Sequence, residues 1–170
     1  VKLPKESYQL LLKPYDQVGG TCTGYAIDHY FQQMYWSGFK GNGNLKNELS
    51  TEKGRTQLLV DSINEYYLVL QHRYSLKGVM NKIASRFAFK CKSKSFADVH
   101  QAVQFVQDQT KVGTPVMVSF SIGSNMVDAP FQLRDYETKS ELDHRLWVPR
   151  KKGERNGGGH TIVAAASFEV

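Results

Sequence analysis

The sequence predicts an α+β protein in which a mainly helical part, over residues 14–107, precedes a strand-rich part, over residues 112–170. Apolar residues recur every three or four positions through most of the first part, which is typical of helices that lie on a core. At positions 116, 118, 120 and 122 they alternate with their neighbours, which is typical of a half-buried strand. A chain of 170 residues can bury a substantial core, and we expect a single domain.

The first predicted helix follows a glycine-containing turn and begins near Cys22. From Ile27 to Tyr35, apolar residues are spaced i, i+3, i+4, i+7 and i+8, which predicts a helix with one face on the core. Cys22 is then in or beside the first turn. Unpaired backbone N–H groups and the positive end of the helix dipole favour a thiolate there. Because the thiolate is the nucleophilic form of cysteine, we interpret Cys22 as a candidate catalytic nucleophile.

A loop and two helices are predicted next. Glycine and asparagine dominate residues 37–44, which we interpret as a loop. Helical spacing then predicts one helix within residues 56–74 and another within residues 76–87. The residues at helical spacing in the first of these are Leu59, Ile63, Tyr66, Tyr67 and Leu70.

A fourth helix is predicted with Ser95 as its N-cap, because Asp98 follows three residues later in the manner of a capping box. Val99, Val103 and Val106 are expected on one face of this helix. The sequence Gly113-Thr114-Pro115 is expected to end it, since glycine and proline do not continue a helix.

Residues 123–159 are the least regular part of the chain, with Leu146-Trp147-Val148 as a possible short strand. A substrate-facing loop and plain surface decoration remain open alternatives for this segment. It ends at His160, which follows Gly157-Gly158-Gly159 and begins an apolar, β-compatible run to Phe168. The glycines would let another backbone approach closely. We therefore interpret His160 as a candidate general base, with substrate bound in a cleft between the helical and strand-rich parts.

Two separated motifs resemble those of papain-like cysteine peptidases, and among these a divergent, bacterial member. Gln17 followed by Gly-Gly-Thr-Cys22 is similar to the family's glutamine-plus-cysteine segment, and Gly159-His160 before a strand is similar to its histidine motif. The 138 residues from Cys22 to His160 lie within the roughly 130–150 typical of papain-type enzymes. The resemblance implies a papain-like two-lobe fold, with a helical lobe, an antiparallel β-sheet lobe and the active-site cleft between them.

The resemblance also implies an activity, namely peptide-bond hydrolysis through a Cys22–His160 thiolate–imidazolium pair and a thioester acyl-enzyme. The side-chain amide of Gln17 would join the Cys22 backbone N–H in stabilising the oxyanion. Backbone groups of Gly158 and Gly159 would contact the substrate chain. A peptide or protein is the implied substrate, and no cofactor is implied.

The chain departs from the family pattern in three places. Thr23 stands where the family has an aromatic residue, and the family's additional cysteine before the nucleophile is missing. The chain ends at Val170, before any strand that could carry the family's histidine-orienting asparagine. Three explanations are open: the chain ends early, the orienting residue comes from another polypeptide or position, or the site is a dyad. An acyltransferase or deamidase with the same chemistry, or an inactive papain-like binding module, are the alternative functions.

Composition and charge exclude other classes of protein. The net charge is +6, but the basic residues are scattered, which argues against nucleic-acid binding. No apolar run approaches the ~18–20 residues of a membrane span. We expect a soluble protein, bacterial cytoplasmic or secreted, without a recognisable signal peptide and with a processed or trimmed N-terminus, since there is no initiator Met. The oligomeric state stays open.

The remaining cysteine and histidines give weaker signals. If Cys22 must stay free, Cys91 has no disulfide partner, and two isolated cysteines lack the spacing of a zinc site. The flanking Lys90 and Lys92 could lower the pKa of Cys91, although a thiol without function is the simpler interpretation. His29 lies seven residues after Cys22 on the same helix, and an axial rise of about 10 Å is too long for proton transfer between them.

Overall fold

The computed structural model describes residues 21–37, 43–128, 145–149 and 156–165, and within them the architecture is α+β, as the sequence predicts. The helices are α1 (Cys22–Trp36), α2 (Gly43–Leu49), α3 (Glu52–Leu70), α4 (Leu76–Ala84) and α5 (Val99–Lys111), with a 3₁₀ turn (Ser85–Phe87) after α4. The strands are β1 (Val116–Asp128), β2 (Arg145–Pro149) and β3 (Asn156–Ala164). No helix in these ranges has the length and apolar character needed to cross a membrane.

The main core lies among helices α1 to α4 and the 3₁₀ turn. Ile27, Phe31 and Met34 of α1 are buried in it, which confirms the apolar stripe predicted for this helix. The other core residues are Leu45, Leu49, Leu58, Val79, Met80, Ile83, Ala84 and Phe87. Since five of these lie in the segment 76–87 at helical spacing, the prediction for that segment is also confirmed.

The loop predicted over residues 37–44 is wrong at its C-terminal end, because Gly43 and Asn44 belong to the first turn of helix α2. The helix brings Leu45 and Leu49, one turn apart, into the core, where they are 1% and 0% exposed. Burying a leucine side chain contributes about 1.5–3 kcal/mol, which exceeds the cost of about 1 kcal/mol for a glycine in a helix. Tertiary packing therefore overrides the local composition.

Helix α3 begins earlier and ends earlier than predicted. Thr51 is its N-cap, and the Thr51 hydroxyl accepts a hydrogen bond from the Gly54 N–H at 3.1 Å. The helical spacing is confirmed, but Tyr67 and Leu70 are 47% and 52% exposed and do not enter the core. The buried positions are Leu58 and Ser62, which follow the same helical spacing from a starting point one residue earlier.

The first turn of α3 packs tightly against the end of α2. A Cβ on Gly54 would overlap the backbone carbonyl group of Glu48. Gly78 occupies the matching third position of α4 and also donates its N–H to an N-cap hydroxyl, that of Ser75, at 3.1 Å. Around Gly78, however, a Cβ would meet only side-chain atoms, the nearest being the Ser75 hydroxyl oxygen at 3.3 Å.

Gly54→Ala is expected to lower the free energy of unfolding by about 1–3 kcal/mol, the usual cost of overpacking, because the α2–α3 connection must move. Urea denaturation followed by circular dichroism measures the change. Gly78→Ala is the matched control and should change stability by less than about 1 kcal/mol, since alanine is the better helix former. Equal effects of the two substitutions would contradict the predicted overlap.

Helix α5 begins after Asp98 and not after Ser95, so the predicted N-cap is wrong. The Asp98 carboxylate accepts a hydrogen bond from the His100 N–H at 2.8 Å. Before the cap, Phe96 folds back onto Phe105 of the helix, with ring centroids 5.3 Å apart. Phe96 is therefore outside the helix and packs against its side.

The face of α5 that carries Val99 and Val103 is open to solvent, since these side chains are 63% and 50% exposed. The predicted end is confirmed. The helix stops at Lys111, and Gly113 has a φ of +79°, in the left-handed region that glycine adopts without strain.

The three strands form one antiparallel sheet in the order β2-β1-β3. The predicted strand at 116–122 is confirmed and extends to Asp128, and the short strand around Leu146-Trp147-Val148 is confirmed as part of β2. Strand β3 begins at Asn156, so the three glycines lie inside the strand and not before it. The described parts of residues 123–159 therefore belong largely to the sheet.

Candidate functional site

Cys22 is the first residue of α1 and is half-buried. This confirms the predicted position of the candidate nucleophile relative to the helix. The first turn contains no acidic side chain, and the N-cap Thr21 makes no side-chain capping hydrogen bond to the helix. The positive end of a helix of 15 residues therefore acts on the sulfur without a neighbouring carboxylate in that turn to oppose it.

Thr23 connects the start of α1 to the sheet. Its hydroxyl lies 2.9 Å from the hydroxyl of Thr161 in β3, in a buried hydrogen bond between residues 138 positions apart. On the other side, Thr23 Oγ1 is 3.9 Å from Cys22 Sγ, at the outer limit for a hydrogen bond to sulfur. A hydrogen bond therefore joins Thr23, which follows the candidate nucleophile, to Thr161, which follows the candidate base.

Ser119 of β1 extends these contacts. Its hydroxyl lies 3.1 Å from Thr161 Oγ1, and the two residues are opposite each other in the β1–β3 register. Thr23 and Thr161 are buried, whereas Ser119 is exposed. The three hydroxyl groups thus form a chain that runs from the sulfur of Cys22 to the surface of the sheet.

His160 is half-buried in β3 and lies opposite Phe120 of β1. Successive side chains of a strand point to opposite faces of a sheet. Since Thr161 points toward α1, the side chain of His160 leaves the backbone on the other face, as does Ile162 two positions along. The structure therefore brings together the backbones that carry Cys22 and His160.

The other predicted site residues are placed less completely. Gln17 lies outside the described residues. Gly158 and Gly159 are in β3, and Gly159 is exposed, with no atom of the described residues within 4 Å of where its Cβ would be. The described part of the chain therefore leaves Gly159 open on that side.

The threonine and serine contacts were missed by reasoning from the sequence. In the sequence, Thr23 stands out only as a departure from an aromatic residue, and Thr161 only as part of an apolar run. Hydroxyl residues are common in helices and strands, and nothing local distinguishes these. Only the packing of α1 on the sheet pairs them.

Helix α1 also carries an ionisable side chain in the protein interior. Asp28 is 0% exposed, and burial raises its pKa from 3.8 to about 7, opposed by a hydrogen bond from Gln32. Gln32 Nε2 is 2.9 Å from each carboxylate oxygen. His29 packs edge-on against Tyr25, with ring centroids 6.3 Å apart, and burial lowers its pKa.

Cys91 differs from the expectation drawn from its lysine neighbours. Burial raises the pKa of its thiol above the ordinary value, with a smaller opposing effect from a hydrogen bond to Tyr30. Its backbone is held by Asn81, whose side chain accepts from the Cys91 N–H at 2.7 Å and donates to the Cys91 carbonyl at 3.1 Å. Cys22 and Cys91 are both free thiols.

Within the described ranges, no group of three or more His, Cys, Asp or Glu side chains could hold a metal ion.

Comparison with known proteins gives no relative of this chain: no protein-family model, no curated protein and no solved structure matches it significantly. The functional argument therefore depends on the residues and their geometry.

Proposed function

We propose that this chain is a cysteine-dependent peptide-bond hydrolase with a papain-like two-lobe fold, in which Cys22 is the nucleophile and His160 the general base. The observation that carries the proposal is the hydrogen bond of 2.9 Å between Thr23 and Thr161. It holds the first turn of α1 beside the strand that contains His160. Both Cys22 and His160 are half-buried, and therefore each retains access to solvent.

The proposed pair requires the imidazole of His160 to turn around an edge of the sheet toward α1. Strand β3 is an outer strand among the three described. Gly159, which precedes His160 in this strand, has no side chain, and the space where its Cβ would be is open. Because the Cα–Cβ bond of His160 leaves β3 on the face away from α1, the pair also requires a local twist of this strand and not a side-chain rotation alone.

In the first half of the proposed reaction, the Cys22 thiolate attacks the carbonyl carbon of a peptide bond and forms a C–S bond. The oxyanion is stabilised by the N–H of Cys22, which belongs to the first turn and has no intrahelical acceptor. Following the family resemblance, the Gln17 amide supplies the second donor. His160 then transfers its proton to the departing amine as the C–N bond breaks.

In the second half, water attacks the thioester and gives a proton to His160. The C–S bond breaks, a carboxylic acid leaves, and the thiolate–imidazolium pair is restored. The backbone of Gly158 and Gly159, which is open at Gly159, is the proposed contact for the substrate chain. An amine in place of water would give the acyltransferase alternative, and a glutamine side chain in place of the peptide bond would give the deamidase alternative.

The test is the pH dependence of alkylation by iodoacetamide, with Cys22 and Cys91 separated by peptide mass spectrometry. We expect Cys22 to react at pH 6 at least about tenfold faster than Cys91, because a thiolate is the reactive form and burial disfavours it at Cys91. His160→Ala should remove this advantage. If Cys22 reacts like an ordinary thiol with or without His160, the catalytic pair does not exist and the binding-module alternative gains support.

A further inference from the structure

The three hydroxyl groups between Cys22 and the surface can all donate their hydrogen bonds in the same direction along the chain, either toward the sulfur or away from it. A hydroxyl carries one hydrogen and can donate only one hydrogen bond. If Thr161 donates to Thr23, the Thr23 hydrogen is free to point at Cys22 Sγ. If Thr23 donates to Thr161, only the Thr23 oxygen faces the sulfur. The donor direction at Thr161 therefore decides what Thr23 offers to Cys22.

A thiolate and a thiol require opposite directions. A thiolate can only accept, so it is stabilised when each hydroxyl donates toward the sulfur, from Ser119 to Thr161 to Thr23. Ser119 is exposed, so water can satisfy its oxygen in that arrangement. Thr161 has the central position, since its oxygen lies within 3.1 Å of both other hydroxyls.

We propose that Thr161 is a positioning residue for Cys22, which directs the Thr23 hydroxyl at the sulfur by donating its own hydrogen to Thr23. Ser119 completes the arrangement by donating to Thr161. Since it names residues that act on the proposed nucleophile, this inference rests on the proposed function. Its chemistry concerns the sulfur alone, so it can be tested without a substrate.

Thr161→Val removes the hydroxyl and keeps the shape of the side chain. We expect it to slow the alkylation of Cys22 by iodoacetamide about fivefold at pH 6.5, the size of one hydrogen bond to a charged group acting through a neighbour. Above pH ~9.5, where an ordinary thiol is mostly ionised, the two rates should converge. A change in access alone would slow the reaction at every pH.

Two further variants keep the test decisive if Thr161→Val folds poorly. Thr161→Ser retains the hydroxyl and should restore the wild-type profile within about twofold. Ser119→Ala removes the outermost donor at an exposed position and should slow alkylation at pH 6.5 by about twofold, with convergence at high pH. Thermal unfolding of each variant monitors the fold.

The proposal is overturned if Thr161→Val and Thr161→Ser give the same profile, or if the loss of rate persists at high pH. The outcome is distinguishable from that of the proposed function. Loss of Cys22 reactivity in His160→Ala but not in Thr161→Val keeps the catalytic pair and removes the hydroxyl chain. The opposite pattern keeps the hydroxyl chain and removes the pair.

Discussion

Cys22→Ala is expected to abolish thioester formation and to lower turnover by about a thousandfold or more. Losses of this size follow when the nucleophile is removed from an enzyme that uses covalent catalysis. The measurement uses p-nitrophenyl acetate, because an activated ester reports acyl transfer whatever the natural substrate is. Wild-type protein should release a burst of p-nitrophenol close to one equivalent and gain one acetyl group on Cys22. The variant should show neither.

The matched control for this experiment is Cys91→Ala, which removes the other thiol of the chain. Because burial raises the pKa of Cys91 and keeps it in the thiol form, its removal should leave the burst intact. Acetylation of Cys91 in preference to Cys22, or a burst that survives in Cys22→Ala, would contradict the assignment. Circular dichroism of the variant establishes that it is folded.

Asp28→Asn is expected to abolish a pH dependence of stability that wild-type protein shows. The folded-state pKa of Asp28 is about 7, above its ordinary value of 3.8. Between these values the unfolded chain is ionised while the folded chain still holds the proton. The folded state is therefore favoured most at low pH, and this contribution is lost as the pH rises through 7.

The expected size follows from the same values. From pH 5 to pH 8, wild-type protein should lose about 3 kcal/mol of unfolding free energy relative to Asp28→Asn. Urea denaturation at the two pH values measures the difference. Asp108 offers a matched control, because it is exposed and accepts a hydrogen bond at 2.8 Å from a glutamine four residues away. If Asp108→Asn alters the pH dependence as much as Asp28→Asn does, burial is not the cause.

The sequence predicted those helices whose apolar stripe is also their buried face. In α1 and in the segment 76–87 the residues at helical spacing enter the core, so periodicity and packing agree. In α5 they disagree, because Val99 and Val103 face solvent. Periodicity shows that residues share a face, but it does not show whether another element covers that face.

Local competition explains the errors at helix ends. Ser95 and Asp98 are both good N-cap residues, and the contact between Phe96 and Phe105 selects the second. Glycine and asparagine suggested a loop up to residue 44, whereas the helix there depends on Leu45 and Leu49 reaching the core. In both cases side-chain packing makes the choice, and the residues at the helix end do not show that packing in the sequence.

The candidate site divides in the same way. The position of Cys22 at a helix start was predictable because a turn and an apolar stripe adjoin it in sequence. The hydrogen bond between Thr23 and Thr161 joins residues 138 positions apart, and no sequence pattern in either segment predicts it. A hydrogen bond between distant elements is set by how those elements pack, which local sequence determines only weakly.

Helix α1, which carries Cys22, packs against α3 with the backbone of Gly24 close to the backbone of Ile63. A Cβ at Gly24 would lie 3.2 Å from Ile63 Cα, closer than side chains normally approach. Turning α1 by one residue would bring the side chain of Thr23 or Tyr25 against that backbone, so the helix has little freedom to rotate about its axis. In evolutionary terms, position 24 can vary less than the large core residues around it, whose volumes can be exchanged among aliphatic side chains.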